Sequence, residues 1–474
     1  MGTRTRTRTV RPWRVVALLA VAAVGLTSCI EGPIDGAPNL PGIIDLSRVG
    51  YQQQEFFLSH TDATAYAPTS PLTSDGRWSV APDPATGGTT FTTRIVVQRP
   101  VDPARFNGTV VVEWLNVTAG VDLPNDWVQS HNEIVRSGAA WVGVTAQAVG
   151  VNSLKANNPT RYAKLVHPGD SYSYDIFTRA GRAVRNNPAV LGGLVPQRLL
   201  AVGESQSASR LVTYIDAVHP LVHIYDGFLV HSRGASGSAL SQSPLTAVPT
   251  PSPSLIRDDL AEPVFVVQAE TDVIGSNLAV RQPDTPTFRE WEMAGTSHAD
   301  AYMIGVGFSD IGDGAGATQM FSLMRTPNPP PSDCASSLNA GGHHWTLQAA
   351  LHGLDTWVRT GTPPASGPLL SVASSSPVVL QRDSAGNALG GVRSPHVDAP
   401  VATLTGINSG SGFCRLFGST VPLTPQQLLD RYPTHEAFVQ AWSAALDSAV
   451  AGGFLLQPDA DELLAAAQAS SVPN

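Results

Sequence analysis

The stretch that most constrains the fold runs from Arg198 to Ile215. Leu199, Leu200, Ala201 and Val202 form a short apolar run suited to a buried strand, and the run breaks at Gly203. Beyond Ser205, the residues Ala208, Leu211, Val212 and Ile215 fall on one face at a 3.6-residue period. The pattern reads as strand, sharp turn, helix, with Ser205 on the turn. A serine held there has its hydroxyl exposed at the carboxyl edge of a sheet and faces a helix N-terminus, which suits a nucleophile that must develop negative charge. The small residues Gly203 and Ser207 allow the tight crossing, although Ser207 stands where the usual G-x-S-x-G pattern ends in glycine. The competing reading is a serine that merely caps an ordinary helix.

The 474 residues, 42% hydrophobic and 14% charged, are enough for a large globular core. Arginines 4, 6, 8, 11 and 14 precede an apolar run from Val15 to Leu26, then small residues and Cys29. This predicts an export signal over residues 1–28, resembling a lipoprotein signal with Cys29 as the lipidated first mature residue. The apolar run is shorter than a bilayer-spanning helix needs, which disfavours the alternative, a transmembrane anchor. Removing the signal takes away five arginines and no acids, moving the formal charge from −9 to −14. The expected protein is exported and held by lipid to the outer face of a membrane in the cell envelope, and the lipid is its only membrane contact. With no basic block beyond the signal, a nucleic-acid partner is not expected. Cys334 and Cys414 then remain, which suggests a disulfide in an oxidising compartment, or else two buried thiols.

Residues 29–45 read as a flexible tether, and 46–474 as one domain. Strand-like pieces at 55–59, 78–81 and 91–98 look like antiparallel opening strands. Strands around 109–114 and 140–147 then alternate with helix candidates at 126–136 and 170–184. That alternation predicts parallel strands joined by crossovers. Later strands near 227–231, 263–268 and 288–293 lead to an acid, Glu270 or Asp272, and to His298. Helices are expected over 346–359, 424–454 and 459–469, with pocket-walling insertions around 234–260 and 306–420.

A serine hydroxyl needs an imidazole base, and the imidazole needs a carboxylate to fix its tautomer. Ser205, an acid, then His298 is the order of an α/β-hydrolase sheet. Asp272 is preferred as the acid because it lies out on the turn after its strand, with Glu270 as the alternative; His298 is preferred to the pair His343 and His344 because it follows a strand. The Gln206 N–H should form one half of an oxyanion hole. The other half should come from the loop at Asn116, Val117 or Thr118, with Val117 taken as the donor. Trp114, Trp127 and Trp345 could line an apolar pocket or belong to the core.

The blocks Phe91–Val97, Phe106–Val117, His167–Phe177, Gly203–Ser207, Gly295–Asp300 and Gly391–Asp398 resemble a bacterial family of secreted or hypothetical α/β-hydrolase-domain proteins. The resemblance covers the chain from about residue 50 onward. It implies an α/β fold with a mostly parallel central sheet, helices on both faces, extra N-terminal strands and C-terminal elaborations. It also implies a serine hydrolase with Ser205, His298 and either Asp272 or Glu270 at the triad positions, the family's form of the motif ending in serine. The histidines are scattered and no H-E-x-x-H spacing appears, so a metal hydrolase is disfavoured and no metal or cofactor is expected. The resulting expectation is a carboxylesterase-like serine hydrolase acting on a small-molecule ester. The alternative is a tethered binding lipoprotein that keeps the fold without catalysis.

Overall fold

Alternating residues of one central strand, β6 (Arg198–Glu204), pack into two different cores, and the rest of the sheet repeats that division. The computed structural model describes residues 1–2 and 29–473; apart from its first two residues, the expected export signal lies outside them. The other strands of the main sheet are β1 (Cys29–Glu31), β2 (Tyr51–Ala63), β3 (Thr89–Pro100), β4 (Thr109–Trp114) and β5 (Ala140–Val144) before β6. After it come β7 (Gly227–His231), β8 (Val264–Ala269) and β9 (Phe288–Met293). Their spatial order is β1-β2-β3-β5-β4-β6-β7-β8-β9. The first three strands and the β3–β5 junction are antiparallel, and β5 through β9 are parallel throughout.

Central parallel strands must be covered on both faces, and β4, β5, β7 and β8 are buried along their whole length. Val110, Val112, Leu199, Ala201, Phe228 and Val230 face a core shared with α2 (Ser173–Asn186) and α3 (Gln206–Thr213). Val111, Leu200, Val202, Leu229, Phe265 and Val267 face the opposite core, against α1 (Asn125–Ser137) and α4 (His343–Thr360). A third cluster joins the C-terminal helices α5 (Pro425–Arg431), α6 (His435–Ala451) and α7 (Gln457–Gln468) to residues 302–324 and 399–404.

Three expectations need correction. Residues 29–45 are not a free tether: β1 pairs with β2 through Cys29 and Ser59, and the Asn39 carbonyl accepts from the buried Arg94 at 2.7 Å. The piece around 78–81 leaves the main sheet, with Val80–Pro82 pairing only with Tyr66–Pro68. The helix expected over 424–454 is two helices, because Pro433 cannot continue α5 and Thr434 caps α6 by accepting from the Ala437 N–H. Ala148–Asn157 forms a further helix. Among the described residues no helix is long and apolar enough to cross a membrane.

Candidate active site

Ser205 follows β6 directly and adopts φ 61°, ψ −116°, a left-handed backbone that L side chains rarely take. Two contacts hold this turn: its N–H donates to the His231 carbonyl at 2.9 Å, and the Ser207 hydroxyl donates to the Glu204 carbonyl at 2.8 Å. Strand alternation turns Gly203 toward α3, where a Cβ would lie 3.1 Å from both Leu211 and the Ser207 backbone. Ser207 thus occupies the usual glycine position, with its hydroxyl serving the turn.

Asp272 lies three residues past β8, and His298 five residues past β9, so both reach the carboxyl edge where Ser205 sits. His298 Nε2 is 2.8 Å from Ser205 Oγ, and His298 Nδ1 is 2.6 Å from Asp272 Oδ1. The other Asp272 oxygen accepts from the Ala269 N–H at 2.7 Å. Burial alone would raise the Asp272 carboxyl, but the His298 charge and hydrogen bonds from His298, Ala269 and Ser232 hold it below its ordinary value.

Glu270, the alternative acid, turns away from His298. It accepts from the Gly295 and Gly406 N–H groups at 2.7 and 3.1 Å and pairs with Arg382 at 3.0 Å. Burial raises its carboxyl despite these partners. Its place is to tie the C-terminal segment to the loop that carries His298.

The carboxylate that sequence reasoning passed over is Glu204, inside the nucleophile motif itself. Its Oε1 is 3.1 Å from His298 Nε2, and its Oε2 accepts from Asn125 at 2.8 Å and Asn116 at 3.2 Å. Burial lowers the proton affinity of His298, yet Glu204 and then Asp272 outweigh it and raise the imidazole to about 9. Burial in turn raises the Glu204 carboxyl.

His343 and His344 are buried on α4, and neither is hydrogen-bonded to Ser205. His343 Nδ1 donates to the Ser297 carbonyl at 2.9 Å, and its Nε2 meets His231 Nε2 at 2.7 Å. His231 Nδ1 in turn meets Asp126 Oδ1 at 2.9 Å. Burial and the neighbouring His231 push His343 down to about 3, so it is neutral and its Nε2 must accept. This buried chain braces both the Ser205 N–H, through the His231 carbonyl, and the loop ending at His298.

The Val117 N–H makes no hydrogen bond among the described residues, whereas the Thr118 N–H is taken by Asn116 Oδ1 at 2.8 Å. Gln206 opens α3, where first-turn N–H groups have no helical acceptor. Gln206 and Val117 therefore both retain an unpaired N–H; Gln206 borders the larger cleft, whereas Val117 lines neither.

Ser205 and His298 open onto two clefts. One, of about 210 Å³, is walled by Leu123, Val128, Met303, Phe308 and Phe417. The other, of about 1080 Å³, is lined by Ser232, Arg233, Ser236, Ser276 and Arg415. Phe413 and Leu416 border both. The segments 234–260 and 306–420 supply much of these walls, but Pro41 and Gly42 also reach the smaller cleft. Trp114, Trp127 and Trp345 line neither and are buried in the cores. Cys334 and Cys414 are disulfide-bonded, and beside them the Leu416 carbonyl accepts from the Ala299 N–H at 3.0 Å, next to His298. Cys29 is exposed and unbridged.

A model of a family described as an alpha/beta hydrolase domain matches residues 23–465. Among solved structures, the chain is similar to a dienelactone hydrolase from Anabaena variabilis at 10% identity, covering 42% of this chain and 79% of that one with a TM-score of 0.26. It is similar to a glucuronoyl esterase from Teredinibacter turnerae at 11% identity, covering 56% and 74% with a TM-score of 0.29. It is also similar to a thermostable esterase from Pseudomonas putida at 14% identity, covering 48% and 66% with a TM-score of 0.26. No curated protein matches the chain.

Proposed function

This chain belongs to the alpha/beta hydrolase domain family, and on that premise we propose that it is a serine hydrolase that cleaves carboxylic esters through a covalent acyl-enzyme. The observation that carries the reading is the continuous chain Ser205 Oγ, His298, Asp272, with hydrogen-bond distances of 2.8 and 2.6 Å, built on a serine with left-handed backbone. In the first half-reaction His298 Nε2 takes the Ser205 proton as Oγ attacks the ester carbonyl. Asp272 holds the Nδ1 tautomer and stabilises the imidazolium, while the Gln206 and Val117 N–H groups receive the oxyanion. His298 returns the proton to the departing alcohol, and a water activated by the same imidazole then releases the acid.

The two clefts support an ester with an apolar group on one side of the scissile bond and a larger polar group on the other. At about 210 Å³ the apolar cleft is smaller than drug-sized sites of about 300–1,000 Å³, which favours a short chain there. Exposed Cys29 at the start of β1 supports lipid attachment and residence at the outer face of a membrane. Cys29→Ser should release the protein from the membrane fraction, and an unmodified Cys29 in the membrane-bound wild type would refute the anchor.

The deciding experiment is fluorophosphonate labelling of the purified protein beside Ser205→Ala and His298→Ala. Labelling that needs both residues supports the reading and leads to a panel of esters graded by chain length. A folded wild type that neither labels nor hydrolyses any ester of the panel would return the fold to a binding role.

A further inference from the structure

We propose that His219, His223 and Glu262 form a binding site for a zinc-class divalent ion, at the edge of the sheet opposite Ser205. His219 opens the last turn, His219–Val222, of the helical run that begins at Gln206, and His223 ends that turn in a left-handed conformation that brings its ring centre to 5.2 Å from that of His219. His219 is fourteen residues beyond Ser205, about 20 Å along such a run at 1.5 Å per residue. Glu262 precedes β8, at the amino edge of the parallel strands.

One donor atom from each of the three lies within 4.8 Å of the others. Glu262 bridges the pair, with Oε2 at 3.2 Å from His219 Nε2 and Oε1 at 3.1 Å from His223 Nδ1. Ligands around a tetrahedral zinc with bonds of about 2.0–2.1 Å are separated by about 3.3 Å, so modest side-chain adjustment encloses an ion. The second observation comes from the buried end. The His219 side chain is fully buried, packed against Phe228 at 4.8 Å between ring centres, and neither of its nitrogens has a hydrogen-bond partner. Glu262 Oε2, which faces it, is also unpartnered, because the 3.2 Å contact lacks hydrogen-bond geometry. Buried polar atoms are rarely left so, and two ligand-type atoms turned toward each other without a bond are what an ion between them requires. The exposed ring of His223 leaves a route in and a fourth position for water.

The test is calorimetric titration of EDTA-stripped, untagged protein with Zn²⁺, together with thermal melts, for the wild type, His223→Ala, Glu262→Gln and Ser205→Ala. His223 is exposed and Glu262 part-exposed, so these substitutions leave the core intact. The expected result is one equivalent bound with a raised Tm, weakened at least tenfold in His223→Ala and Glu262→Gln and unchanged in Ser205→Ala. Absence of saturable one-equivalent binding, or wild-type affinity in His223→Ala and Glu262→Gln, would overturn the site.

Discussion

Replacing Glu204 by Gln keeps the shape of the side chain and removes the carboxylate that lies 3.1 Å from His298 Nε2. The His298 imidazole stands at about 9 against an ordinary 6.5, a net gain for the charged form of about 3 kcal/mol. Burial opposes that gain, so the two carboxylates supply more than the net, and the Glu204 charge is the strongest single influence raising it. Losing its charge should move the imidazole down by about 1.5 pH units, or about 2 kcal/mol. Because the base must be neutral, kcat/KM rises with pH through this value, and the midpoint of the limb should shift from about 9 to about 7.5. The same charge stabilises the imidazolium in the transition state, so the high-pH plateau should fall about 30-fold. At pH 7 the neutral fraction climbs from about 1 in 100 to about 1 in 4, so the two effects nearly cancel there. The assay is pH-stat hydrolysis of one ester by both proteins, from about pH 6 to about pH 10. A plateau loss with an unmoved midpoint would refute the electrostatic role and leave Glu204 a structural partner of Asn125 and Asn116.

Asp272→Asn should lower kcat about 10⁴-fold with the fold intact, whereas Glu270→Gln should spare kcat and lower Tm, since Glu270 bonds Gly295, Gly406 and Arg382; equal kinetic losses would mean that the acid is misassigned. Removing the disulfide by Cys334→Ser with Cys414→Ser should destabilise by up to about 4.5 kcal/mol for a separation of 80 residues, read by urea melts. It should also raise KM, because Phe413 and Leu416 flank the bridge and border both clefts; an unchanged KM would show that the 413–417 turn holds without it. Val128→Phe should narrow the smaller cleft and shift preference toward shorter chains on a graded ester series, an effect that an unchanged chain-length profile would rule out.

The central strands and the serine turn were legible because their signals are local. Val110, Val111 and Val112, or Leu199 through Val202, can be buried on both faces only inside a covered parallel sheet. Ser205, Asp272 and His298 could be picked out because each closely follows a readable strand, and strand ends of a parallel sheet share one edge. Choosing Asp272 over Glu270 rested on distance past the strand. In the structure two residues separate an oxygen on His298 Nδ1 from one turned to Arg382.

What stayed hidden depends on partners distant in the chain. Nothing near Cys29 signals that residues 29–31 will meet 57–59, nor does any local pattern give Asn39 the guanidinium of Arg94. The Glu204 side chain reads as a strand-end acid until Asn116 and Asn125 arrive from the preceding βα loop and helix to hold it on His298. The same holds for His231, whose neighbours Asp126 and His343 lie 105 and 112 residues away. Buried polar groups demand partners but do not say where in the chain those partners are. Sequence periodicity therefore exposes the apolar frame first, while the charges that tune His298 emerge only once the frame has brought strands, loops and helices to one edge.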